Sequence, residues 1–209
     1  KPSPLPMHPG GRFNRNTLQF LLEHVYAPEK PRPAHRLDAN TSGVLVVCRT
    51  RAMAARVQPQ FSQRTVDKSY LARVHGHPAS DHFHCEAPIS SEPGEVGSRA
   101  IGPAGDGMQD ARTDFTVLRR HADGTALVEA RPLTGRTNQI RLHLRHLGHP
   151  VVNDPVYGRG TDTTAGRPPV TQTLDPTSPP LCLHAWRISL DHPLSGQRLT
   201  FEAPPPAWA

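Results

Sequence analysis

Two runs that read as strands, residues 114–120 and 126–131, stand on either side of His121-Ala122-Asp123-Gly124. Asp-Gly between apolar runs is a strong hairpin signal, because Gly accepts the positive φ that tight turns need. A hairpin commits its strands to antiparallel pairing, which most narrows what this chain can fold into. Residues 69–74 alternate, with Tyr70, Ala72 and Val74 on one face, and read as another strand. Residues 183–190 and 198–202 surround a Pro-x-x-Gly turn and supply two more, and residues 44–48 read as a buried strand.

Helices are fewer. Leu18, Leu21, Leu22 and Val25 fall at helical spacing after Asn16, a candidate N-cap, and the Pro-rich stretch after Ala27 closes that helix. A short helix is expected from about Arg51, bent or ended by Pro59. Thr137 is expected to cap a third helix that ends at Gly148, with Pro150 just beyond. On it Ile140, Leu144 and Leu147 share a face that should pack on the sheet, while Asn138, Arg141 and Arg145 project from another flank.

Pro2, Pro4, Pro6 and Pro9 make residues 1–12 extended, and residues 90–107 and 159–180 read as loops. With no internal repeat, the expectation is an α+β fold: one domain over residues 1–209, a mixed, mainly antiparallel sheet with flanking helices, and a Pro/Thr/Gly-rich loop insertion at 159–180. The chain opens at Lys1 inside a structured-looking segment, so a trimmed N-terminus is expected, which leaves room for a leader or a further domain before it.

Composition narrows the function classes. No apolar run approaches the roughly 18 residues of a membrane helix, so no membrane partner is expected. The formal charge of +6 permits a polyanionic partner without specifying one. Cys48, Cys85 and Cys182 lie far apart with no Cys-x-x-Cys pair. That suits a reducing, cytoplasmic setting and argues against a disulfide framework or a cysteine zinc site.

Asp38 poses the sharper question. It lies two positions after Arg36 and just before the apolar run at 44–48, where a carboxylate is expensive to desolvate unless something pairs with it. Arg141 falls in the first turn of its helix, where the dipole disfavours a cation by a few tenths of a kcal/mol and a nearby anion would compensate. A guanidinium can grip a carboxylate with two bonds and stays charged at physiological pH. Taken alone, though, an aspartate in such a stretch is commonly a turn residue, an arginine on a helix flank is commonly solvated, and Tyr70 on a strand is commonly packing. His143, His146 and His149 invite a metal reading, but no carboxylate or cysteine completes a set, so no metal is expected. Gly135-Arg136-Thr137 at a helix start is a weak phosphate signal without a Walker pattern.

Three blocks change this balance: His35-Arg36-Leu37-Asp38 with Thr41-Ser42-Gly43, then residues 68–76 (KSYLARVHG), then residues 132–141 (PLTGRTNQIR) running on to Gly148-His149-Pro150 and Asp154-Pro155-Val156-Tyr157-Gly158. In this order and spacing the chain resembles the RluA-type pseudouridine synthases, and the likeness reaches Lys1-Pro2 at one end and Phe201-Glu202-Ala203-Pro204 at the other. The resemblance implies an isomerase that breaks the N1 glycosidic bond of a uridine in structured RNA, rRNA or tRNA, and rejoins the base through C5. It maps the catalytic aspartate onto Asp38. Tyr70 would lie against the uracil and help to remove the C5 proton, and Arg141 would pair with the aspartate in a basic cleft. Arg36 would enter the RNA stack in place of the flipped base, with His35, Arg136, Thr137, Asn138 and Gln139 as further substrate contacts. It implies RNA as partner and no cofactor, and a monomer is expected. Asn138 stands where the pattern commonly has histidine, which implies an altered orientation or RNA contact.

Two rivals come from other classes. A catalytically silent RNA-binding module would need the basic surface but not the carboxylate. A methyltransferase or deaminase that flips bases should show a glycine-rich nucleotide loop or a His-x-Glu and Cys-x-x-Cys zinc set, and neither occurs.

Overall fold

The computed structural model describes residues 1–10, 13–94, 97–158 and 173–209. Among these the helices are α1 (Leu18–Val25), α2 (Arg51–Ser62) and α3 (Gln139–His146). The strands begin with three short ones, β1 (Arg32–Pro33), β2 (Ser42–Gly43) and β3 (Val47–Cys48). They continue as β4 (Asp67–His75), β5 (His82–Cys85), β6 (Ile89–Ser90), β7 (Met108–Gln109), β8 (Thr113–Arg120), β9 (Thr125–Pro132), β10 (Leu183–Asp191) and β11 (Arg198–Glu202).

The hairpin forms between β8 and β9. Gly124 takes φ +78°, and Asp123 Oδ1 accepts from the Thr125 amide at 3.0 Å and from its hydroxyl at 2.6 Å. From this hairpin the sheet grows in the order β11-β10-β4-β9-β8-β5, antiparallel throughout, with β2 added to β10 in parallel. The fold is therefore α+β around a mixed, mainly antiparallel sheet.

Ile140 and Leu144 of α3 pack with Ala72 and Val74 of β4 and Val128 and Ala130 of β9, and Leu147 joins at the edge. Each such Val or Leu contributes roughly 1.5–3 kcal/mol on burial. Ala54 and Val57 of α2 form a second cluster with Val66, Ile188 and Leu190. The two clusters fix α3 and the segment before α2, which carry opposite walls of the site.

Several boundaries differ from the sequence reading. Thr17 rather than Asn16 caps α1: its backbone is extended and its hydroxyl accepts from the Phe20 amide at 3.3 Å. Thr137 does not cap α3. Asn138 occupies that place in the left-handed conformation (φ +59°), which a helical residue cannot hold, so the helix starts one residue later, and it ends at His146. Within 44–48 only Val47 and Cys48 pair as a strand, with β1, because Gly43 at φ +113° turns the chain off β10. A Cβ at Gly43 would collide with the Ala185 carbonyl. Pro59 is accommodated inside α2, whose last turn extends past it to Ser62. The loop read at 90–107 is bounded by the β6–β7 ribbon, and Ile101 bridges to Ile89. Of the stretch read as a loop at 159–180, residues 159–172 lie outside the described residues.

Candidate active site

Three segments converge on a cavity of about 350 Å³: residues 35–41, strand β4, and the turn from Thr134 into α3. The first is pulled down by buried Leu37, Asn40 and Thr41. Its backbone is tied from behind: Ala39 O accepts from the Leu5 amide at 2.9 Å and from Lys1 Nζ at 2.8 Å, and Ser3 Oγ donates to Asn40 O at 2.7 Å. Asn40 Oδ1 in turn accepts the Leu174 amide at 3.0 Å. Ser42 Oγ meets His184 Nδ1 at 2.8 Å, fastening the far end to β10. Asp38 thus stands on a braced loop with its side chain 23% exposed to the cavity.

Arg141 comes up from the first turn of α3 and is 2% exposed. Its Nε and Nη2 donate to Asp154 Oδ2 and Oδ1 at 2.7 Å each, and its Nη1 donates to Asn138 Oδ1 at 2.8 Å and reaches Asp38 Oδ2 at 3.4 Å. Its Cζ lies 4.9 Å from the centre of the Tyr157 ring. Burial works against the guanidinium's charge, but the bonds and charge of Asp154, aided by Asp38, outweigh it and raise the pKa. The anion foreseen beside Arg141 is therefore two anions. Asp154 takes the fork, and Asp38 receives only a longer contact. Asp154 Oδ1 also accepts the amides of Val156 and Tyr157 at 2.9 Å each, so its desolvation is well compensated.

Tyr70 and Lys68 are alternate residues of β4 and share the face that lines the cavity. Burial, and after it the charge of Asp38, pushes the Tyr70 phenol up, so it stays protonated at neutral pH. Lys68 Nζ is lowered by burial and then by Arg64, and donates to Thr134 O at 3.4 Å.

The residues expected to touch substrate divide into two sets. Arg36 is exposed at the cavity wall, and Arg136 and Thr137 are half-buried beside it, Arg136 with Nε on Asp110 O at 2.9 Å. Arg36, Arg136 and Lys68 all line the cavity, so its wall is basic. Gln139 does not offer its amide there: Oε1 accepts from Thr134 Oγ1 and the Arg136 amide, and Nε2 donates to Arg112 O and Thr113 Oγ1, all within 2.9 Å. Asn138 is likewise buried, between Arg141 and Tyr157. His35 lines the wall through its ring, stacked on Phe61 at 4.8 Å, while its Nε2 accepts the Val46 amide at 3.1 Å. These three polar groups pin the walls from inside. His143 is bonded at both ring nitrogens, to Thr113 Oγ1 and Ala87 O, and no three metal-ligating side chains gather among the described residues.

Asp154, Tyr157 and Lys68 carried no assigned role in the sequence reading. A buried arginine needs its fork filled, and that requirement was the available signal for Asp154.

Residues 1–146 match the family model described as RNA pseudouridylate synthase. The chain belongs to this family. Pseudouridine synthases carrying that likeness include the dual-specificity RNA pseudouridine synthase RluA of Escherichia coli K12, 32% identical over 206 residues that span 98% of this chain and 86% of the relative. The ribosomal large subunit pseudouridine synthase D of Nitrosomonas europaea is 39% identical over 210 residues, 99% of this chain and 58% of its own length. The pseudouridylate synthase RPUSD2 of Homo sapiens is 41% identical over 157 residues, 75% of this chain but 28% of the human protein. The chain thus spans less than two thirds of several of the curated relatives it matches. Among solved structures, human RNA Pseudouridylate Synthase Domain Containing 1 superposes with a TM-score of 0.72 at 31% identity, covering 91% of this chain and 74% of that one. The corresponding protein numbered 4 gives 0.73 at 26% identity, covering 100% and 84%.

Proposed function

We propose that this chain converts a uridine within structured RNA, ribosomal or transfer, into pseudouridine, with Asp38 as the catalytic carboxylate. The observation that carries this reading is the meeting of Asp38, Arg141 and Tyr70 on the walls of one cavity rimmed by Arg36, Lys68 and Arg136.

The geometry suits the chemistry. The reaction breaks N1–C1′, forms C1′–C5, releases the proton of C5 and returns one to N1, with no redox change or group donor. A carboxylate that attacks the base or sugar, or takes the C2′ proton, must be ionised and not smothered. Arg141 supplies a permanent cation, yet Asp154 holds its fork, so Asp38 meets it through one 3.4 Å contact and stays part of the cavity lining. Tyr70 offers a ring to the uracil and a phenol that holds its proton at neutral pH, so it assists removal of the C5 proton as a relay, passing its own proton on as it accepts another. Arg36, exposed and able to stack and bind phosphate together, fills the gap left by the flipped base, whose extrusion costs a few kcal/mol.

Asp38→Asn tests this with RNA carrying tritium at C5. Wild type should release the label to water, while the variant should bind RNA and release none. Equal release by the variant would refute the role of Asp38, and an inactive wild type on every structured RNA tried would favour a silent RNA-binding module.

A further inference from the structure

We propose that Asn138 is a positioning residue that sets the reach of Arg141 towards Asp38. This rests on the reading of Asp38 and Arg141 as the reacting pair and goes beyond it.

Nη1 of Arg141 has two protons. One goes to Asn138 Oδ1 at 2.8 Å, and the other is directed at Asp38 Oδ2, 3.4 Å away. A guanidinium has no acceptor, so the amide oxygen must face it, and the amide nitrogen is thereby turned to Tyr157 Oη at 3.1 Å. That hydroxyl also accepts the Arg99 amide at 2.7 Å and donates its own proton to Arg99 O at 3.3 Å. The chain of bonds runs without a gap from the backbone at Arg99 to the nitrogen beside Asp38. Asp154 fixes the plane of the guanidinium from its other edge, and the Tyr157 ring covers its face.

Asparagine meets three demands at this place. It tolerates φ +59°, which most side chains resist. It presents an acceptor and a donor on one short side chain. It is also neutral: it engages Nη1 without cancelling the positive charge that Asp38 senses. A carboxylate here would compete with Asp38 for Nη1 and would disfavour the ionised form of Asp38 by like-charge repulsion. At 4% exposure, Asn138 is not placed as an RNA contact.

The test compares wild type, Asn138→Gly, Asn138→Asp, Asn138→His and Asp38→Asn on one RNA substrate, with thermal melting to verify folding. Glycine keeps the left-handed backbone and deletes the amide. Its kcat should fall about tenfold or more, since small misplacements of reacting groups carry such costs, with KM within about twofold. Histidine, which presents one acceptor and one donor when neutral, should recover most of that loss. Aspartate should lower kcat and move the acid limb of the kcat–pH profile to higher pH. Should Asn138→Gly not fold, the aspartate and histidine variants decide by the same kcat and pH criteria. Wild-type kcat and pH profile in the folded variants, or a loss confined to KM, would overturn the proposal while an inactive Asp38→Asn left the underlying reading intact. Full activity of Asp38→Asn would instead sink that reading.

Discussion

Arg141 gives its two-bonded edge to Asp154, at 2.7 Å for each bond, and only one 3.4 Å contact to Asp38. The buried ion pair of the site is therefore Arg141–Asp154, with side chains 2% and 0% exposed. Asp38 sits at its margin. Removing one partner of a buried pair leaves an uncompensated charge and costs about 3–5 kcal/mol. Asp154→Asn should lower stability by roughly that amount in a denaturant titration and depress kcat at temperatures where the variant is still folded. Unchanged stability would show that Arg141 is hydrated or paired otherwise.

Arg36 is exposed at the cavity wall, on the same braced segment as Asp38. If its role is to occupy the gap in a base stack, the benefit exists only where there is a stack. Arg36→Ala should reduce kcat/KM on a structured RNA severalfold more than on an unstructured strand of the same local sequence. An equal loss on both substrates would reduce Arg36 to a phosphate contact.

The elevated pKa of Tyr70 has a direction that kinetics can read. An ordinary phenol ionises near pH 10, and burial followed by the charge of Asp38 moves this one higher. Turnover should show no basic limb due to Tyr70 below about pH 10. Tyr70→Phe should lower kcat by removing a donor while leaving the shape of the profile between pH 7 and 10 unchanged. A basic limb present in wild type and abolished in the variant would mean that Tyr70 ionises during the cycle.

What the sequence disclosed follows from periodicity and local chemistry. Asp-Gly announced the β8–β9 turn, and the spacing of Ile140, Leu144 and Leu147 announced the buried face of α3. A cation in the first turn of a helix calls for an anion, and Asp38 is one that meets Arg141. One anion does not satisfy that cation, because a guanidinium has two edges and a face. Asp154 stands in the third block with no partner assigned to it, although it makes the stronger bonds with Arg141. The left-handed backbone of Asn138 depends on how the chain enters α3, and propensity favoured Thr137 as the cap. The inward placement of Gln139 is hidden for another reason: a polar residue beside a site looks like a ligand contact until its partners are counted.

His35 yields a pH dependence of stability. Its Nε2 accepts the Val46 amide at 3.1 Å and must be unprotonated to do so, and its ring lies on Phe61. Burial first, and then the charge of Lys68, oppose protonation; a bond with the Arg36 backbone favours it less strongly, and the pKa falls to about 4. Unfolded, the ring titrates near 6.5. Between pH 6.5 and about 4 the unfolded chain holds a proton that the folded one refuses, so stability is full above that window and declines as pH falls through it. The decline amounts to about 3 kcal/mol over the whole window. His143 and His184 are also lowered, each by burial first, and contribute in the same direction, so the wild-type slope alone does not isolate His35. His35→Gln does, because glutamine keeps an acceptor for Val46 and does not titrate. Denaturant titrations from pH 7 to 4.5 should give a shallower loss for the variant than for wild type. Parallel slopes would mean that His35 accepts its proton in the folded state near the ordinary value.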